Sequence, residues 1–286
     1  MQGINGILSF FMALISLFTT IVNGSLFKRE IDLNDFELVW ADEFDGDSLD
    51  RTKWSTQDTT ELRRGGYWNG EMVEVQDGNL TIYSKYLENG IEGENVPGWY
   101  TAQISTRDLY EQTYGYFEVR CILPKGYGQW AAFWMINSSL RYEYPDGTKG
   151  AEIDIFESAY YGTDDPNQVT SAVHWGGYAD KHVIASPIYT GVRPTDPYNS
   201  FNTYGLEWNE HEYIFYINGE VYARMTRFQA APSQEPEYMI LSVEMSGANG
   251  VPADLGTGWA PGTMEDNGRD FVSEFVIDYV RCYQYK

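Results

Sequence analysis

The segment Glu152-Ile153-Asp154-Ile155-Phe156-Glu157 constrains this chain more than any other. Its apolar residues are β-branched or aromatic, the mark of a strand. Alternate side chains of a strand share a face, so Glu152 and Asp154 point the same way. Glu157 breaks the alternation. One extra residue absorbed in a β-bulge at Ile155–Phe156 returns it to the face of the other two acids. Three carboxyl groups then line one wall of a cleft. Such crowding raises some pKa values and lowers others, as acid/base work on a glycosidic bond requires. The competing reading is a solvated strand face that happens to carry acids.

Strand signals recur along the whole chain. Leu80–Lys85 follows the turn Asp77-Gly78, Tyr116–Leu123 is a second run, and Trp130–Ile136 precedes the acidic strand. Glu212–Ile217 and Glu220–Met225 flank Asn218-Gly219, which calls for a two-residue type I′ turn. Helical periodicity is nearly absent. The expected fold is all-β, a sandwich of two curved antiparallel sheets. No linker or repeat divides the chain, so residues 30–286 read as a single domain. Long stretches rich in Gly and Pro, 87–100, 138–150, 186–200 and 246–268, are expected to rim the cleft.

The 286 residues carry 42 Asp and Glu against 19 Lys and Arg, a net charge of -23. Such a chain is repelled by nucleic acid and by anionic membranes, whereas a neutral polymer feels little of that field. Residues 1–27 hold no charged side chain, and Ile7–Val22 is too short for a comfortable membrane span. Residues 1–24 therefore read as a signal peptide, with 25–29 as a short pro-segment ending at the dibasic pair Lys28-Arg29. The alternative is an uncleaved anchor. Secretion, no membrane association after processing and a monomeric state are the corresponding expectations. Secretion also permits a disulfide between Cys121 and Cys282 if their strands pair; the alternative is two buried thiols. Asn79 and Asn137 open glycosylation sequons, Asn137 being favoured because it begins a polar loop.

Trp130 and Trp134 share a strand face and can offer flat surfaces to sugar rings. His174-Trp175 stands at a spacing that suits the next antiparallel strand, where His174 can hydrogen-bond substrate or a catalytic carboxyl. Asn69 and Glu71 offer a polar pair for sugar hydroxyls, or form a plain turn.

Taken together these stretches resemble glycoside hydrolase family 16, the laminarinase-like β-glucanases. The resemblance runs through Trp40–Asp45, Asn69–Glu71, Asp77–Leu80, Tyr114–Pro124, Trp130–Trp134, Glu152–Glu157, Gly205–Trp208 and Ile277–Arg281. It implies a β-jelly-roll with a concave cleft and endo-hydrolysis with retention. By position, Glu152 resembles the nucleophile and Glu157 the general acid/base, with Asp154 holding the proton balance between them. The Glu-x-Asp-x-x-Glu spacing is that of the bulged branch, which holds laminarinases, agarases and carrageenases. The implied substrate is a neutral β-1,3 or mixed β-1,3/1,4-glucan. An agarase-like galactan hydrolase and a glucan-binding lectin on the same sandwich are the alternatives. No cofactor is implied for the chemistry. A structural calcium is implied at Glu43, the Gly78 carbonyl and Asp278, where ordinary surface acids are the other reading. Two departures stand out: Asn202 replaces a histidine common in relatives, and Glu244-Met245-Ser246-Gly247 replaces an Ala-Val-Gly-Gly-Asn-like stretch beside the cleft.

Overall fold

The computed structural model describes residues 30–256 and 259–286. The leader and pro-segment expected over residues 1–29 lie outside the described residues. Two antiparallel-rich sheets make a sandwich, and the helical elements among the described residues are short 3-10 turns. None of the described helices is long and apolar enough to cross a membrane.

The larger sheet is built around the long C-terminal strand Val272–Tyr285. That strand pairs with Gly115–Ile122, Asn79–Leu87 and Phe36–Asp42. The smaller sheet runs in the order Val183–Ala185, Thr170–Trp175, Glu152–Ser158, Gln129–Ile136, Tyr238–Met245, Gln103–Ser105. Its inner face supplies Phe133, Met135, Ile153, Ile155, Phe156, Leu241 and Val243 to the core. These meet Leu80, Ile82, Phe117, Val119, Leu206, Phe275 and Ile277 from the larger sheet. Phe156 is the key between the layers. Its ring lies 4.3 Å from that of Tyr204 and 6.4 Å, edge-on, from that of Phe275. Truncating such a side chain to alanine costs about 3–5 kcal/mol.

The Asn218-Gly219 turn has φ of 51° and 79°, the two left-handed residues of the expected type I′ hairpin. Asn202 is buried in the larger sheet. Its amide bonds the Thr195 and Ser200 carbonyls, and its oxygen accepts from Thr195 N and Asn218. It is a clamp on the 195–200 loop.

The strands that carry Cys121 and Cys282 do pair, but the disulfide does not form. Cys121 stands opposite Ile277 and Cys282 opposite Phe117, a separation on the order of 13 Å at ~3.3 Å per residue, beyond the reach of a bridge. Both are buried free thiols. Asn137 is also committed. Its oxygen caps the turn Ser138–Arg141 through Ser139 N at 2.7 Å, and its amide donates to the Pro236 carbonyl.

Of the long stretches expected at the cleft rim, 246–268 brings Trp259 against Trp130, with rings 5.0 Å apart. The stretch 138–150 meets the loop after His174 through Glu143 and Lys181 at 2.9 Å. The stretch 186–200 instead joins the larger sheet, where Ile188 and Tyr189 pair with Arg224 and Ala223.

Candidate active site

The acidic strand is held between two neighbours, and both report the bulge. Against Gln129–Ile136, Asp154 faces Trp134 and Phe156 faces Phe133, so Ile155 is the extra residue. Against Thr170–Trp175 the register likewise slips between Asp154 and Glu157. Ile155 and Phe156 both enter the core, and Glu157 returns to the face of Glu152 and Asp154. The open face of the smaller sheet then collects Glu152, Asp154, Glu157, His174, Trp130, Trp134, Ala132, Ser242 and Glu244 in one pocket.

His174 stands directly opposite Glu152 across the strand pair. Its Nε2 lies 3.1 Å from Asp154 Oδ2 and 3.8 Å from Glu152 Oε1. Only the first is within hydrogen-bond reach. Trp130 Nε1 donates to Glu157 Oε1 at 2.9 Å, and Trp134 Nε1 donates to Ser242 Oγ at 3.1 Å. The two tryptophans thus share the cleft face, each with its indole nitrogen tied down.

Burial raises the pKa of two of the acids. It pushes Asp154 well above the usual carboxylate range, and the nearby charges of Glu152 and Glu244 add to the rise. Glu157 is also pushed well up. Burial is the main cause, and Asp154 and Glu152 reinforce it; His174 and the Trp130 N–H pull the other way. A carboxyl group whose surroundings favour its neutral form suits the part of a general acid.

Three expected binding residues do not reach the cleft. Trp175 follows His174 on the same strand, so it faces the opposite side and packs against the core. Asn69 is buried and caps the turn Gly70–Met72, accepting from Glu71 N at 2.9 Å and donating to Thr60 Oγ1 at 3.2 Å. Glu71 is exposed and stands outside the pocket. These two form the plain turn of the alternative reading.

The structure adds residues that the sequence did not single out. Arg63 and Arg64, from the hairpin Glu61–Arg63/Gly66–Trp68, both grip Glu244 across the cleft wall. Arg64 also lies over the Trp130 ring, 4.6 Å from its centroid. The departure at Glu244 is thereby explained: its carboxylate fastens the hairpin onto the cleft. Tyr178 and His182 reach in from the loop after Trp175. Paired glycines, Gly65-Gly66 and Gly176-Gly177, sit beside both insertions and were the available signal.

Glu43, Gly78 and Asp278 converge on the other sheet. Asp42 stands opposite Val280 and Leu80 opposite Ile277, so Glu43 and Gly78 lie within two residues of those pairs, beside the strand that carries Asp278. An all-oxygen set of this kind suits calcium. Each carboxylate is already engaged, however, Glu43 by Arg281 in a two-pronged pair at 2.8 and 2.9 Å and Asp278 by Arg120. An ion at that corner competes with two guanidinium groups.

Comparison with known proteins places this geometry among glycosidases. The family model for the GH16 domain of beta-porphyranases A–D matches residues 38–285. The endo-1,3-1,4-beta-glycanase EglC of Rhizobium meliloti (strain 1021) is 32% identical over 73% of this chain, which spans only 39% of that relative's length. A beta-glucanase of Rhodothermus marinus is 27% identical, with 87% of this chain and 86% of the relative covered. The crystal structure of SCLam, a non-specific endo-beta-1,3(4)-glucanase from family GH16, superposes with a TM-score of 0.69 at 26% identity. It covers 91% of this chain and 95% of the other.

Proposed function

Because the chain belongs to glycoside hydrolase family 16, we propose that it is an endo-acting β-glucanase that cleaves β-1,3 or mixed β-1,3/1,4-glucan with retention of configuration. One observation carries the reading. The bulge at Ile155 sets three carboxyl groups on one wall of the cleft, where the surroundings of Asp154 and Glu157 favour their neutral forms. Glu152 attacks the anomeric carbon while protonated Glu157 gives its proton to the leaving oxygen. Glu157, now a carboxylate, takes a proton from water, which releases the sugar from Glu152. Asp154, held by His174, shares the proton balance between the two glutamates. Trp130 and Trp134 supply the apolar faces on which sugar rings rest. A lectin has no need of a second, protonated glutamate, which favours the enzyme over a binding module on the same sandwich. The apolar leader supports secretion, and action outside the cell suits a polymeric substrate.

A galactan reading is favoured by one observation: the matching family model is named for beta-porphyranases. A reducing-sugar assay on laminarin, lichenan, agarose and porphyran separates the two, with NMR of the first-formed anomer to test retention. Release of reducing ends from laminarin or lichenan as the β-anomer is the expected result. Turnover of agarose or porphyran alone transfers the mechanism to a galactan, and no turnover of any of the four overturns the enzyme reading.

A further inference from the structure

The loop 176–182 is built to bring two side chains back onto the catalytic strand. Gly176 and Gly177 both have positive φ, 80° and 78°, which L-residues with a side chain rarely adopt. A Cβ at Gly176 would lie 2.3 Å from the Lys181 carbonyl oxygen, so the loop closes tightly on its own start. His182 N donates to the Ala179 carbonyl at 3.0 Å, and Lys181 pairs with Glu143 on the neighbouring rim. The outcome is a short strap across one end of the cleft.

Two contacts run from the strap into the site. The Tyr178 hydroxyl donates to Glu152 Oε2. His182 Nε2 lies 2.8 Å from His174 Nδ1, with the two imidazoles stacked at 5.0 Å and 7°. His174 in turn faces Asp154 through its other nitrogen at 3.1 Å. Tyr178 is 59% exposed, so no core packing accounts for its place. It is far from a chance surface tyrosine, because its hydroxyl meets the carboxylate read as the nucleophile. Burial of the hydroxyl, and then the Glu152 charge that it faces, push the phenol above its ordinary pKa, so it remains a donor throughout the working range.

We propose that Tyr178, presented by the 176–182 strap, is a positioning residue for the nucleophile: it holds Glu152 Oε2 and leaves Oε1 turned toward the anomeric carbon, while His182 fixes His174 against Asp154. The inference rests on the reading of Glu152 as nucleophile. A carboxylate anchored at one oxygen attacks from a single rotamer, and an oriented nucleophile is worth orders of magnitude in rate. The loss is felt in formation of the glycosyl-enzyme rather than in sugar binding.

Tyr178→Phe keeps the ring and removes only the hydroxyl. On the best glucan of the four-polysaccharide panel, kcat should fall at least ten-fold, with KM within two-fold of wild type and an unchanged melting temperature. Labelling by a 2-deoxy-2-fluoro glucosyl fluoride should slow in parallel, because that reagent reports attack by Glu152. A sugar-stacking platform predicts the reverse pattern, wild-type kcat in Tyr178→Phe and a raised KM only in Tyr178→Ala, and that result overturns the proposal. If wild type turns over no polysaccharide and takes no label, the glucanase reading itself has failed. If wild type is active and labelled while Tyr178→Phe matches it in kcat and labelling rate, only the role of Tyr178 has failed.

Discussion

Trp130 Nε1 donates to Glu157 Oε1 at 2.9 Å, from an indole that also contacts the Arg64 guanidinium at 4.6 Å and the Trp259 ring at 5.0 Å. The Glu157 carboxyl, proposed as the acid/base, is thus bonded by a tryptophan that itself touches residues from two distant segments. The hydrogen bond favours the charged form of Glu157 and opposes the larger effect of burial. Trp130→Phe removes that opposition. The pKa of Glu157 rises further, and the basic limb of the pH–rate profile should move to higher pH. The kcat at the optimum should drop several-fold. A basic limb that stays in place would show that the hydrogen bond is not made in the working enzyme.

The two glutamates should separate in a rescue experiment. Glu152→Ala removes the proposed nucleophile. It should lower turnover by at least about 10³-fold, and added azide should yield the inverted α-glycosyl azide. Glu157→Ala should retain attack on substrates with a good leaving group, and azide should yield the retained β-glycosyl azide. Product NMR decides it. The same anomer from both variants would sink the assignment.

Glu237 should make the fold sensitive to alkali. It is 1% exposed, and burial lifts its pKa from 4.5 to about 8 against hydrogen bonds from Ser233 and Ala151 N–H. The folded-state value lies above the unfolded one, so this contribution is intact below pH 4.5 and is lost as pH rises toward about 8. The slope is up to ~1.4 kcal/mol per pH unit. Glu237→Gln keeps the oxygen that accepts from Ala151 N and has nothing to ionise. Urea midpoints at pH 5 and pH 8 should differ clearly less in the variant than in wild type. Equal differences would place the alkaline sensitivity elsewhere.

The buried thiols should be silent until the chain unfolds. Cys121 and Cys282 are both enclosed, and burial pushes each thiol well above its ordinary pKa. Protein purified without reductant should show no reaction with Ellman's reagent when native. In guanidinium, two thiols per chain should react. Zero thiols in denaturant would mean a disulfide after all.

Calcium at Glu43 and Asp278 must displace Arg281 and Arg120, so wild type should bind it weakly. Melting temperature should rise by a few degrees only at about millimolar Ca²⁺, the range of weak extracellular sites. Arg281→Met frees Glu43 and should bring the same rise at a lower Ca²⁺ concentration. The pH–rate profile should not respond, because this corner lies on the sheet opposite the acids. Identical melting curves in chelator and in 10-fold graded Ca²⁺, for both proteins, would remove the ion from that corner.

What the sequence determined by itself was local. Period-two alternation and turn chemistry are written in neighbouring residues, so the all-β sandwich, the Asn218-Gly219 hairpin and the slip at Ile155 could be read before any fold was known. The broken alternation at Glu157 was enough to suggest the bulge, and the bulge aligns three acids. Alternation also held information that was not used: His174 and Trp175 are adjacent on one strand, so only one of them could face the cleft. Pairing register between distant segments decided the rest. Cys121 and Cys282 lie on paired strands yet opposite Ile277 and Phe117, because register is fixed by burying alternate faces along the whole strand, not by the cysteines. The grip of Arg63 and Arg64 on Glu244 joins residues about 180 positions apart, and the reach of Tyr178 to Glu152 depends on a glycine-turned loop closing over a strand. Such contacts arise only when separate loops fold onto one sheet. The acid cluster was therefore legible in one hexapeptide, whereas the side chains that contact it were placed by tertiary structure.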